Sequence, residues 1–311
     1  MKRISRILVA IDGSSRSYAA LAYLGKLFSK QVEIVLFHIM AEAPASLRDL
    51  SPDLSYEKER YPLALWKTSQ EEFIAEFMTL ACDILYASGF AKDAVTVKTQ
   101  ALRSGVARDI LAESRQGYDV LVVGRTGISK VEDISLGGIA AKLVDAVVHL
   151  PIIVVGENPE SNKTLIAIDG SAGSMKALRC AGAWLDPAEC EIMLCHVIRP
   201  LSAQQLGAEK LFTPKHEADW IAANQRKIVP VINQAKRYLA TVGISENQIS
   251  SEILSYQKSR ATAIVITATK GGYDTIVLGR RGLTGTGEFQ MGRVSRKILH
   301  FAYRSTLWIV S

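Results

Sequence analysis

"GRTGISKVEDISLGG" (Gly124–Gly138) and "GRRGLTGTGEFQMGR" (Gly279–Arg293) share one spacing: a glycine, two residues, a second glycine, nine residues and a third glycine. Each follows a short apolar run, "VLVV" or "TIVL". A strand that runs into glycines and then into a helix N-terminus makes an anion cradle. Glycine lets the backbone approach closely, and the first helical N–H groups point at the ligand with the helix dipole behind them. A tight turn with no ligand has the same local pattern, so a single ladder decides little. Two ladders in matched context favour the phosphate reading.

Working outward, the surroundings repeat as well. "RILVAIDGSSRSYAAL" (Arg6–Leu21) matches "TLIAIDGSAGSMKAL" (Thr164–Leu178), and "VLFHIM" (Val35–Met40) matches "MLCHVI" (Met193–Ile198). "GYDVLVVGRTG" (Gly117–Gly127) matches "GYDTIVLGRRG" (Gly272–Gly282), and "PIIVVG" (Pro151–Gly156) matches "TLWIVS" (Thr306–Ser311). The order is unbroken, so the chain reads as a tandem duplication. Its boundary falls in the polar "ENPESN" (Glu157–Asn162), which divides a first domain at 1–157 from a second at 162–311.

Within each copy, Val/Ile/Leu-rich runs alternate with helical patterns. The first copy reads as strands near 5–11, 32–39, 94–101, 119–123 and 151–155, with helices near 16–29, 68–88, 105–116 and 137–149. The second repeats this, with strands near 164–168, 191–198, 249–255, 274–278 and 306–310. Strands that are apolar throughout belong to sheets covered on both faces, and strand–helix alternation gives a doubly wound α/β fold. Ligands in such folds sit beyond the carboxyl ends of the strands, where the "DGS" segments and the ladders also lie.

Composition narrows the function classes. The 311 residues are 48% hydrophobic and 22% charged, which is globular. No apolar run approaches the roughly 20 residues of a membrane helix, and "ILVAI" is too short for a signal-peptide core. A soluble, cytoplasmic protein is expected. The four cysteines, Cys82, Cys180, Cys190 and Cys195, lack zinc or redox spacing and read as small apolar fillers, with Cys190 and Cys195 on opposite faces of one strand.

The net charge of +6 is uneven: 18 Lys+Arg against 19 Asp+Glu in residues 1–157 leaves 19 against 12 in the rest. Arg280, Arg281, Arg293, Arg296 and Lys297 lie in or just after the second ladder. That clustering favours a local phosphate site over a nucleic-acid face, which would also want aromatic stacking residues. There is no GxxxxGK[ST] and no GxGxxG after the first strand, so P-loop and dinucleotide folds are excluded. No catalytic constellation or metal-ligand spacing emerges. His38 and His196, matched at the end of strand two, read as structural or pocket-wall residues.

Taken together, "VAIDGS", the His-bearing second strand, "GYDxxVxGRxG", nine residues, a glycine, a helix and "PIIVV" resemble the universal stress protein (UspA-type) family over essentially the whole chain. The resemblance implies two Rossmann-like domains of the adenine nucleotide alpha hydrolase type. Each would carry a five-stranded parallel sheet in the order 3-2-1-4-5. It implies ATP or another adenine nucleotide as ligand, with or without Mg, and the last strands of the two copies pairing as an intrachain pseudo-dimer. A homodimer of the whole chain and an unnamed protein partner are further expectations, with no membrane and no nucleic acid.

Carried over by position, Asp12 and Asp169 resemble the ribose-binding aspartate, Ile39 and Val197 the residue whose backbone meets adenine. Gly124, Gly127 and Gly137, with Gly279, Gly282 and Gly292, resemble the phosphate and ribose loop. The alternative is that each aspartate caps the following helix or closes a turn with its Gly and Ser. The family pattern places hydroxyl residues after the third glycine. The first copy has Gly138 and Ala140 there; the second has Arg293 and keeps Ser295. Arg293 could grip a phosphate, fill the pocket or face solvent, and the second copy is expected to be the stronger site. Two long connections, Glu42–Lys67 and Arg199–Glu217, leave the site end of strand two as lids or partner-binding loops. A nucleotide-independent interaction module and a slow ATPase remain the competing readings.

Overall fold

The structure, a computed structural model, describes residues 5–43, 57–127, 136–157, 160–202, 212–283 and 290–311. The first half runs β1 (Arg6–Ala10), α1 (Ser15–Leu27), β2 (Glu33–Met40), α2 (Glu57–Ala87), β3 (Val95–Ala101), α3 (Val106–Glu113), β4 (Val120–Gly124), α4 (Gly138–Ala146) and β5 (Ile152–Val155). The second runs β6 (Lys163–Ala167), α5 (Ala172–Trp184), β7 (Glu191–Val197), α6 (Pro214–Thr241), β8 (Ile249–Leu254), α7 (Arg260–Gly271), β9 (Thr275–Gly279), α8 (Arg293–Phe301) and β10 (Thr306–Val310).

Each half is parallel in the order 3-2-1-4-5, as expected. The two sheets are not separate: they form one ten-stranded sheet, β3-β2-β1-β4-β5-β10-β9-β6-β7-β8. β5 and β10 join antiparallel, with Val154 opposite Leu307, Ile153 opposite Trp308 and Ile152 opposite Ile309. Pairing two fully buried apolar edges removes both from water and satisfies their backbone groups together. Alternation along β1 sends Ile7 and Val9 to one core and Leu8 to the other. α1, α2, α5 and α6 cover the first face, and α3, α4, α7 and α8 the second. Cys190 and Cys195 go to opposite faces as their spacing requires.

The seam between the halves carries devices that the repeat pattern does not show. Trp308 is fully buried against Phe28 and Trp184, at centroid distances of 5.5 and 5.6 Å. Its indole N–H donates to the Tyr23 hydroxyl at 2.7 Å, which also bonds the Thr275 hydroxyl at 3.0 Å. Two arginines then cross the seam in opposite directions. Arg125 donates to the carbonyls of Leu299 (2.7 Å) and Ala302 (3.0 Å) at the end of α8. Arg280 donates to the carbonyls of Val144 and Val147 (2.6 Å each) at the end of α4. Each guanidinium is 3% exposed and meets the negative end of the other half's last helix. Burial lowers both pKa values, that of Arg125 to about 10, with nearby Arg16 adding repulsion.

α2 corrects one expectation. The helix begins at Glu57, inside the stretch expected to be a loop, so only its earlier part (44–56) lies outside the described residues. Pro62 does not stop it, and Pro230 sits on the exposed side of α6. In both helices a continuous buried stripe, such as Ile74, Phe77, Met78, Ala81 and Leu85, outweighs the lost backbone bond.

Candidate functional site

Both halves fold "DGS" the same way. Ser14 caps α1 and Ser171 caps α5, each accepting the amide three residues on. The aspartate before it is thereby spared capping. Asp12 Oδ1 accepts the Ser14 amide at 3.1 Å and the Ser17 hydroxyl at 2.6 Å; Asp169 Oδ1 accepts the Ser171 amide at 2.9 Å. One carboxylate oxygen closes the turn, and the other faces the ladder.

The ladder's second glycine admits that oxygen. A Cβ on Gly127 would stand 2.6 Å from Asp12 Oδ2, and one on Gly282 would stand 2.7 Å from Asp169 Oδ2. No side chain fits there without displacing the carboxylate. In the second half the Leu283 amide also reaches Asp169 Oδ2 at 3.3 Å. The third glycine closes the loop: Gly137 donates its amide to the Arg125 carbonyl and Gly292 to the Arg280 carbonyl, both at 2.8 Å. Those glycines are the N-caps of α4 and α8. Because the first amides of a helix have no partner within it, the tip of α8 offers the N–H groups of Arg293, Val294 and Ser295.

The site residues divide on inspection. Asp12, Gly127 and Gly137 come together in the first half, and Asp169, Gly282 and Gly292 in the second. Gly279 and Gly124 serve helix–strand packing: a Cβ on Gly279 would lie 2.5 Å from the Gly173 carbonyl carbon, and one on Gly124 would lie 3.0 Å from Arg16 Cβ. Ser295 is buried and its hydroxyl donates to the Gly279 carbonyl at 2.9 Å. Arg293 is exposed and lines an outer groove of about 400 Å³ with Arg296, Lys297, His300 and Phe301. Gly138 opens α4, and among the described residues no packing neighbour lies within 4 Å of an added Cβ. Val197 and Ile39 are buried at the ends of β7 and β2.

The basic cluster of the second ladder disperses. Arg280 is spent on the seam, and Arg296 pairs with Asp145 at 3.2 Å. His38 and His196 each hold an Ile carbonyl through Nδ1, to Ile11 at 2.9 Å and to Ile168 at 2.6 Å. A carbonyl only accepts, so Nδ1 carries the proton. Burial lowers both histidine pKa values.

Other residues of the site were not read from the sequence. In the first half Phe77 lies over Gly13 and meets the His38 ring edge-on at 4.9 Å, with Phe73 beside it at 5.3 Å. Val231 takes that place against Gly170 in the second half. Arg16, at the first-half mouth, is held by Glu157 at 2.6 Å. At the end of β7 the Trp220 indole donates to the Arg199 carbonyl at 3.0 Å, and Arg260 Nε donates to the Val197 carbonyl at 3.3 Å. Leu201, Phe212, His216, Asp219 and Trp220 line a second groove of about 400 Å³. The connection after β7 is tied back by Glu217, which accepts the Leu201 and Ser202 amides at 2.7 Å each; residues 203–211 of that expected lid lie outside the described residues. Among the described residues no cluster of His, Cys, Asp or Glu is placed to hold a metal, and no helix is long and apolar enough to cross a membrane.

Comparison with known proteins places the chain. The model of the universal stress protein family matches residues 3–155 and again 160–307. Universal stress protein YxiE of Bacillus subtilis (strain 168) is 30% identical over 139 residues, which is 44% of this chain and 90% of that one. A universal stress protein from Archaeoglobus fulgidus DSM 4304 superposes with a TM-score of 0.61 at 18% identity, covering 98% of each chain. A functionally unknown protein, PA1789 from Pseudomonas aeruginosa PAO1, gives 0.56 at 17% identity, covering 99% of this chain and 92% of that one. With two matches in tandem and the duplicated 3-2-1-4-5 sheet, the chain belongs to the universal stress protein family.

Proposed function

We propose that the chain binds a nucleotide in the crevice of its second half and serves in stress adaptation as a regulatory or chaperone-like module. The ligand implied by the family resemblance is ATP or another adenine nucleotide. One observation carries the reading: Asp169 Oδ2 sits against the second ladder glycine, which has no room for a side chain. A carboxylate held there can accept from adjacent ribose hydroxyls while the amides at the tip of α8 donate to phosphate. The arrangement is suited to holding a ligand, with a carboxylate for hydroxyl groups and helix-tip amides for phosphate.

The second half is the stronger site in this reading. There the carboxylate is braced by Leu283 and the mouth is bordered by Val231. The first half offers Phe73 and Phe77 at the mouth and bare Gly138 at the helix tip. Purified protein denatured and analysed by mass spectrometry should release ATP, ADP or AMP, and calorimetric titration with ATP should show binding that Asp169→Ala removes. Absence of both sinks the proposal. A nucleotide-independent interaction role is favoured by the groove at Trp220, and it would be left standing by that result.

A further inference from the structure

The outer face of α8 carries more charge than the fold asks of it. α4 and α8 are the same helix in the two halves, each burying one side in the second core, through Leu143 and Val144 or through Ile298 and Leu299. Their outer sides face solvent and have diverged. Gly138, Ala141, Asp145 and Ala146 on α4 stand where α8 has Arg293, Arg296, His300 and Phe301, while Lys142 matches Lys297. Lys142 and Asp145 cancel on the first face; Arg293, Arg296 and Lys297 leave +3 on the second.

That loading works against the helix. Arg293 and Arg296 stand in the first turn, where the helix dipole favours anions, and no acidic residue is there to offset them. Arg293 has like charges at i, i+3 (Arg296) and at i, i+4 (Lys297), an arrangement that destabilises a helix. Arg296 is relieved by Asp145 at 3.2 Å, but both side chains are more than half exposed and such a pair is worth little. Among the described residues the side chains of Arg293, Lys297 and His300 have no hydrogen-bond or ion-pair partner. The Phe301 ring, 52% exposed, lies beside them. These groups stabilise little within the chain and are free to meet something outside it.

The groove of about 400 Å³ along this face defines the partner. Its walls are the methylene stems of Arg293, Arg296 and Lys297 with the His300 and Phe301 rings, and the cationic heads stand at its rim. An occupant has to bring an apolar side chain for the walls and anions for the rim, within a helix face about 12 Å long. A nucleic acid strand asks for a platform of several aromatic rings on which successive bases stack. A bilayer asks for a broad apolar face to insert. One ring among cations suits neither. We propose that the outer face of α8 docks an acidic segment of another protein, with one apolar side chain in the groove and flanking carboxylates on Arg293, Arg296 and Lys297. The groove lies outside the crevice, so the inference does not depend on the nucleotide reading.

The test is fluorescence anisotropy of a short labelled peptide, one leucine flanked on both sides by glutamates, titrated with the full-length protein. Binding should weaken as salt rises. Lys297→Glu should weaken it by about 1.4- to 5-fold for the lost exposed ion pair, and further for the repulsion that replaces it. Phe301→Ala should weaken it by about 3- to 10-fold, half the worth of a fully buried phenylalanine ring. Each variant changes an exposed position, and Lys297→Glu gives Arg293 an opposite charge at i, i+4, so thermal unfolding should show both still folded. Lys142→Glu, at the matching place on α4, should leave binding unchanged. No binding, equal binding by both α8 variants, or an equal loss in Lys142→Glu overturns the proposal. A peptide with serine in place of the leucine that binds as well reveals charge attraction alone and overturns the groove. Tighter binding of single-stranded RNA or of phosphatidylserine–phosphatidylcholine vesicles than of the peptide, at the same salt, overturns the choice of occupant.

Discussion

Gly282→Ala isolates the contact on which the binding reading depends. Gly282 does not adopt a positive φ, so alanine is acceptable to the backbone and the effect is steric. The added methyl would stand 2.7 Å from Asp169 Oδ2. A comfortable separation is longer by about 0.5–1 Å, so the carboxylate must swing back by that amount. It would lose the Leu283 amide at 3.3 Å and its aim into the crevice, while the turn bond to the Ser171 amide at 2.9 Å holds it nearby. Losing one charge-assisted hydrogen bond to a ligand hydroxyl costs about 1.5–3 kcal/mol, or roughly 10- to 150-fold in affinity. The strain itself costs about 1–3 kcal/mol of stability.

Gly127→Ala is the matched control, with its methyl 2.6 Å from Asp12 Oδ2. It should carry a similar stability penalty and leave nucleotide affinity unchanged. Calorimetric titration and thermal unfolding of both variants read the two effects separately. A Gly282→Ala protein that melts and titrates like the unaltered one refutes the placement of the carboxylate. A loss confined to Gly127→Ala would move the site to the first half.

Arg280→Met should lower stability by about 2–4 kcal/mol in urea unfolding, because the Val144 and Val147 carbonyls lose their partners at a buried helix end, less the recovered desolvation of the guanidinium. An unchanged midpoint would show that water caps α4 equally well. His38 and His196 should titrate by NMR below the ordinary value near 6.5. Their folded pKa values are depressed, so their contribution to stability is full above about 6.5 and is lost as pH falls; a His38→Asn/His196→Asn protein should lose less stability between pH 7.5 and 5. Iodoacetamide on the native protein should modify Cys82 first, since burial pushes the thiols of Cys180, Cys190 and Cys195 up to about 12, 11 and 12. Equal labelling of all four would mean that the cores open readily.

The fold was legible because its signals are local and doubled. Continuous apolar runs such as Val120–Gly124 declare a doubly covered sheet, and the ladder spacing marks the turn after it. The aspartate at the end of β1 and of β6 was legible for the same reason. The seam was not. Arg125 and Arg280 both sit beside ladder glycines, and Arg280 counts in the basic cluster that favours a phosphate site, yet their partners lie 174 and 136 residues away in the chain. Nothing local separates a guanidinium that caps a distant helix from one that binds an anion. The Phe73–Phe77 pair was hidden likewise, since a helical apolar stripe does not reveal which of its members overhang a strand end.

Duplication explains why the halves need not stay alike. The seam is built with different pieces on its two sides: Trp308 faces Ile153 across it, and Tyr23 has Cys180 as its counterpart in the repeat. Once the tryptophan is packed among Phe28, Trp184 and Tyr23, the two copies are no longer interchangeable, and each can change without the other. The crevices show that freedom. Among the described residues nothing forces glycine at position 138, since an added Cβ there meets none of them within 4 Å. Packing does force glycine at 127 and 282, where the carboxylate approaches. Geometry that positions the aspartate is therefore kept in both halves, while the residues after the third glycine, Gly138 and Ala140 against Arg293 and Ser295, have diverged. That is the pattern of one shared frame whose two halves hold the same turn and are free to differ around it.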